Sequence, residues 1–129
     1  MMRLLLITLL VLSSGPAYAE WVVVAANEEA GVIHYADPDT IRRKENLVKM
    51  WELIDFKTAQ TGRGLSYLSA KFQVEYDCAE ERHRLLAFLQ HSNNMGRGNV
   101  VHSDSTEYNW EPIAPDTIGL RMWKFACKK

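Results

Sequence analysis

Ser66-Tyr67-Leu68-Ser69-Ala70-Lys71-Phe72-Gln73-Val74-Glu75-Tyr76-Asp77 is the stretch on which the fold turns. Leu68, Ala70, Phe72, Val74 and Tyr76 fall on one side of a period-two pattern, and Ser69, Lys71, Gln73 and Glu75 fall on the other. Successive side chains of a strand point to opposite faces, so the pattern predicts a half-buried antiparallel strand with its apolar face on a core. Just downstream, Cys78 to Glu81 makes a tight connection, and Arg82 to His91 returns as a neighbouring strand carrying Leu85, Leu86, Ala87, Phe88 and Leu89. Helix is the rival reading of that return, because the run holds good helix formers; the short turn before it favours a hairpin.

Upstream, Leu47 to Phe56 is apolar on both faces, with Val48, Met50, Ile54 and Phe56 against Leu47, Trp51 and Leu53. Such a strand belongs in the middle of a sheet, covered on each side. Thr58 to Gly64 is a polar loop. Trp21 to Ala26 and Val32 to Tyr35 are two further strands, separated by the turn cluster Asn27-Glu28-Glu29-Ala30-Gly31. Asp37-Pro38-Asp39-Thr40 should end the second of them, since Pro38 has no N–H to give a ladder. Ile41 to Asn46 follows as a basic connection. On the other side, Asn93 to Gly98 is a turn, Asn99 to Ser103 a sixth strand, and Ser103 to Ala114 irregular, anchored by Tyr108 and Trp110.

From Pro115 the signals become helical: proline suits the first helical position, and Asp116 complements the dipole there. Thr117, Arg121, Lys124 and Lys128 form a polar stripe, leaving Ile118, Leu120, Met122, Trp123, Phe125 and Ala126 as a wide apolar face for the sheet. The expected fold class is therefore α+β, an antiparallel β-sheet of about six strands with a C-terminal helix packed on it.

The N-terminus carries a different message. Arg3, the apolar run Leu4 to Leu12 and the Ala17-Tyr18-Ala19 site make a cleavable secretory signal over residues 1–19, so the expected domain spans 20–129. The apolar run is shorter than the roughly 20 residues a bilayer span needs, so no transmembrane segment is expected. A lipid anchor would need a cysteine at the cleavage point, and the two cysteines are Cys78 and Cys127. Export places these two thiols in an oxidising compartment, where one structural disulfide is the simplest reading; their spacing is not that of a C-x-x-C redox pair. Such a loop contributes about 4 kcal/mol in the chain-entropy model. Losing Arg3 from the 15 Lys and Arg leaves 14 against 16 Asp and Glu, a net charge of −2. That balance argues against nonspecific nucleic-acid binding, which needs a strongly basic face.

His34-Tyr35-Ala36-Asp37-Pro38 with Ile41-Arg42-Arg43, Val48-Lys49-Met50-Trp51, Ser69-Ala70-Lys71 leading into Glu75-Tyr76-Asp77-Cys78, Glu81-Arg82-His83-Arg84, Trp110 with Pro112, and Trp123-Lys124 with Cys127 form an ordered series of short motifs. In that order they resemble the surface-adhesin protein E family, across essentially the whole exported chain. The resemblance implies a mostly antiparallel sheet with a C-terminal helix. It also implies adhesion to host extracellular ligands such as vitronectin, laminin and plasminogen, and homodimer formation; no cofactor is expected. The family's namesake is a surface lipoprotein, whereas this chain lacks the anchoring cysteine, so both periplasm and cell surface stay open.

Two candidate sites come from the residues themselves. Arg42, Arg43 and Lys44, joined by Arg82 and Arg84, would make a basic patch for an acidic partner, against the reading of a solvated turn paired with Glu45, Glu80 and Glu81. His91, Met95 and His102 surround one predicted turn and are ligand types that hold copper, although no recognised spacing joins them. No G-x-S-x-G, H-E-x-x-H or paired-carboxylate motif is present, and Asp37 and Asp39 read as turn formers, so no catalytic residue is assigned. The expected function is a noncatalytic binding protein of the bacterial envelope, acting through a protein partner. The alternatives are a periplasmic small-ligand or metal-binding protein and a structural accessory of an envelope complex. Edge strands, the first and the sixth, are where a partner strand would add.

Overall fold

The structure, a computed structural model, describes residues 20–128, and the expected leader over residues 1–19 lies outside them. Six antiparallel strands follow one another across a single sheet in chain order: β1 (Val22–Asn27), β2 (Val32–Lys44), β3 (Leu47–Gly62), β4 (Leu65–Asp77), β5 (Arg82–His91) and β6 (Val100–Asp104). A two-residue β7 (Glu111–Pro112) pairs with the start of β5. Among the described residues one α-helix, α1 (Ile118–Cys127), lies across β1 to β4.

The deciding stretch is indeed a strand, and its hairpin with β5 resolves the helix alternative for Arg82 to His91. Its apolar side meets α1, where Ala36, Val48, Met50, Tyr76, Ile113, Met122 and Ala126 form the core. Its polar side is not simply solvated: Ser69, Glu75 and Asp77 are all buried. β4 sits mid-sheet, and a 3-10 turn at Asn94–Gly96 folds over the reverse face at one end. There the Ser69 hydroxyl donates to Asn93 O at 2.6 Å and accepts from Gly96 N at 2.8 Å, while Met95 N donates to Asp55 Oδ1 at 2.8 Å. Buried polar atoms thus find partners, as burial requires.

Three local departures from the sequence reading have physical causes. Pro38 interrupts the ladder without ending the strand: the register passes from Asp37↔Trp51 to Arg42↔Lys49, with the intervening residues bulged out. Side chains take over the missing ladder bonds, since Thr40 Oγ1 accepts from Trp51 N at 2.9 Å and donates to Asp37 O at 2.7 Å. The expected loop over Thr58 to Gly64 is a strand extension ending in a two-residue turn, closed by Gly62↔Leu65. Arg63 and Gly64 both have positive φ there, 54° and 75°, the geometry whose twist matches flanking strands. Finally, α1 starts after Pro115 and Asp116, and Thr117 is its cap, accepting from Leu120 N at 3.2 Å.

Cys78 and Cys127 are bonded, with Cα atoms 5.6 Å apart, joining the end of α1 to the turn after β4. Trp123 Nε1 donates to Asp77 O at 2.8 Å, a second tie between the same two places. Among the described residues no helix is long and apolar enough to cross a membrane.

Candidate functional site

β3 and β4 are longer than the helix that covers them, so their core-facing row continues past its first turn, with β5 alongside. Beyond Met122 the row consists of Glu52 and Ile54 on β3, Phe72 and Val74 on β4 and Leu85 on β5, brought side by side by the register Glu52↔Phe72 and Val74↔Leu85. With Ile118 at the start of α1 and the Tyr108–Glu111 segment as walls, they enclose a groove of about 340 Å³. Most of the groove's lining is apolar; its acids are Glu52, half-buried on the floor, and Glu111 on the wall.

Glu52 accepts a hydrogen bond from the Tyr76 hydroxyl. Burial of the carboxyl among apolar side chains pushes its pKa up to about 8, against which the Tyr76 hydrogen bond acts. Burial, and then the neighbouring Glu52, raise the Tyr76 phenol well above its ordinary value. Two histidines line the groove, His34 and His83. Desolvation lowers both, and Glu111 partly offsets this at His83. At neutral pH the groove therefore presents a protonated carboxylic acid and two neutral imidazoles. Among the described residues no cation lies within ion-pair distance of Glu52.

The basic residues singled out in the sequence reach one end of the sheet but separate into two groups. Lys44, Leu47, Asp77 and Arg82 lie opposite one another on successive strands, so β2 and β5 ends stand about 14 Å apart at the usual spacing of strands. Arg82 and Arg84 are consumed locally. Arg82 Nε lies 3.0 Å from Asp77 Oδ2, and Arg84 bridges Glu75 at 2.6 Å and Glu107 at 2.8 Å. The Trp110 ring lies 4.9 Å from one guanidinium and 4.6 Å from the other. The hairpin register Asp77↔Arg82 and Glu75↔Arg84 carries these pairings, and a tight turn at 78–81 already implied it. Arg42, Arg43 and Lys44 remain exposed, with Arg43 also donating to Cys127 O at 3.4 Å.

His91, Met95 and His102 are not brought together. Gln90 opposes His102, so His102 shares the face of Phe88, whose ring it meets at 5.4 Å; His91, the next residue along β5, points to the reverse face. No cluster of three metal-ligating His, Cys, Asp or Glu side chains occurs among the described residues. His91 is 6 % exposed, and neither ring nitrogen has a hydrogen-bond partner among the described residues. It lies beside Lys71, Trp21 and Trp51 in a shallow reverse-face cleft. Desolvation, then Lys71, lower its pKa.

The profile of the family described as Surface-adhesin protein E matches residues 21–128. Among solved structures, crystal form II of Haemophilus influenzae protein E is similar at 13 % identity with a TM-score of 0.63, over 74 % of this chain and 80 % of that one. A selenomethionine form of Haemophilus influenzae protein E is similar at 13 % identity and a TM-score of 0.61, covering 81 % of this chain and 90 % of that one. The protein E of non-typeable Haemophilus influenzae gives 11 % identity and a TM-score of 0.61, covering 90 % and 79 %. No curated protein sequence matches the chain.

Proposed function

We propose, from the premise that this chain belongs to the surface-adhesin protein E family, that it is a noncatalytic binding protein of the bacterial envelope acting through its protein surface. The observation that carries the reading is the extent of the family match, residues 21–128, which takes in every strand and the helix together. The finer form of the reading is adhesion to host extracellular proteins, with vitronectin, laminin and plasminogen as the ligands to try. Export, in this reading, rests on the leader expected over residues 1–19.

Exposed Arg42, Arg43 and Lys44 are the cationic element available to an acidic partner segment, because Arg82 and Arg84 are already neutralised by carboxylates. The β1 edge, where Val22 and Val23 are exposed, is open to strand addition by a partner or a second copy. Solid-phase binding of the purified protein to the three host proteins, beside protease shaving of intact cells, tests this. Saturable binding that is lost when Arg42, Arg43 and Lys44 are all reversed to Glu is expected, with the protein cleaved on whole cells. Protein recovered only from periplasm and inert toward all three ligands would remove adhesion.

A further inference from the structure

We infer that the groove beside α1 is a binding site for an amphipathic organic amine, its apolar body lying over Phe72, Val74 and Leu85 and its ammonium reaching the carboxyl of Glu52. This stands apart from adhesion, which would use the outer surface. Three observations converge on it. The groove is concave, of a volume suited to a small molecule, and floored by side chains from three strands that face it by register. Its deep polar group is a carboxyl whose hydrogen-bond partner, Tyr76, is neutral. Half-buried and without a cation in reach among the described residues, the carboxyl keeps its proton at neutral pH, and a ligand ammonium is the partner that lets it ionise in place.

The surrounding charges select the sign of the ligand. β4 contributes Tyr76; β2 and β5 contribute His34 and His83, both held neutral by burial; and the β7 segment contributes Glu111. Arg84 touches the groove, yet its guanidinium is held by Glu75 and Glu107. From α1 come Ile118, Gly119 and Met122, without charge. A carboxylate ligand would meet two acids and no free cation, whereas an ammonium completes the set. A neutral alcohol could accept from protonated Glu52 but would gain no charge-assisted bond when that acid ionises.

Binding has a proton balance that can be read directly. The Glu52 carboxyl, protonated at neutral pH, gives its proton to solvent; the carboxylate then pairs with the ammonium, which keeps its own protons. Titration calorimetry of the purified protein with hexylamine, hexanol and hexanoate, in buffers of different ionisation enthalpy, tests the assignment. At pH 9.5, where Glu52 is already ionised, hexylamine should bind at least about tenfold tighter than hexanol, the scale of a charge-assisted hydrogen bond over a neutral one; at pH 7 the cost of ionising Glu52 narrows the gap. Its binding should release about one proton at pH 7 and almost none at pH 9.5. Methyl and aromatic NMR shifts should fall on Phe72, Val74 and Leu85, and Glu52→Gln should erase the preference for the amine. Equal or tighter binding of hexanol or hexanoate at pH 9.5, absence of proton release at pH 7, shifts confined to other parts of the sheet, or no amine binding at millimolar concentration would each overturn it. The wild-type measurements decide the matter even if Glu52→Gln folds poorly.

Discussion

Where α1 lies on the sheet, Val48 and Met50 of β3 and Tyr76 of β4 are shut away from water under Met122 and Ala126, and the disulfide fastens the helix down beside them. A few residues further along the same strands, the same face carries Glu52, Ile54 and Phe72 and is left as a groove. The strands do not change character between these regions: both are rows of alternating side chains in the same register. What changes is the cover. A ten-residue helix spans about 15 Å at 1.5 Å per residue, while β3 with its 16 residues runs on the order of 50 Å. The helix can close only part of the face, and whatever the strands carry beyond it becomes either an apolar patch or a site. An acid at Glu52, one alternation past Met50, makes it the second.

The strongest way to break the contrast is to release the closed end. Cys78→Ser should cost about 4 kcal/mol, because the bridge closes a loop with a sequence separation of 49 and fixes α1 over the core. Urea unfolding of the variant, and of the wild type with reductant, measures it. Equal stability in both would mean that Trp123 and the core hold the helix without the bond. Next in size is Met122→Ala. Met122 is 2 % exposed, so truncation leaves a cavity between α1 and the sheet and should cost about 3 kcal/mol by the same assay.

The closed region was far more legible in the sequence than the open one. Alternation from Leu68 to Tyr76 and the apolar face of the last helix both announce burial, and two cysteines read beside the expected leader announce their bond. The groove announces nothing, since Glu52 stands between Trp51 and Leu53 and looks like any polar position of a two-sided strand. Its depth depends on where α1 begins, and the sequence disguises that start, because Pro115 and Asp116 mimic a first turn while Thr117 does the capping. Pro38 misled for a related reason: a missing N–H marks a gap in the ladder, but only tertiary pairing says whether the strand resumes, as it does at Arg42. The pairing of Glu75 with Arg84 and of Asp77 with Arg82, by contrast, follows from counting across the hairpin, and it withdraws both arginines from the basic patch.

A pH experiment sharpens the comparison from the open side. Glu52 has its folded-state pKa raised from 4.5 to about 8, so between those values the native protein holds a proton that the unfolded chain has lost. Its contribution to stability is fully present below pH 4.5 and is lost as pH rises through 8. Glu52→Gln keeps the size, stays neutral throughout and should gain on wild type as pH rises, matching it near pH 4 and exceeding it by up to about 4 to 5 kcal/mol at pH 9. His34 and His83, lowered by burial, act in the opposite direction below pH 6.5 in both proteins, so the difference between the two pH profiles isolates Glu52. Parallel profiles would mean that the carboxyl is better hydrated than its surroundings imply.

The smallest effect draws the boundary between the regions most finely. Ile118 and Met122 are one turn apart on α1, on the same side of the helix, yet Ile118 is 38 % exposed and Met122 is 2 %. If burial under the helix is what separates the two regions, Ile118→Ala removes atoms that already face the groove and water, leaves no enclosed cavity, and should cost less than about 1 kcal/mol against about 3 for Met122→Ala. Because Ile118 also walls the groove, the same change should weaken hexylamine binding severalfold while leaving the fold intact. A residue that matters to a ligand and hardly at all to folding is what an open groove requires. A cost equal to that of Met122→Ala would show instead that the first turn of α1 closes over Phe72 and Leu85 in solution, and that the groove is part of the core.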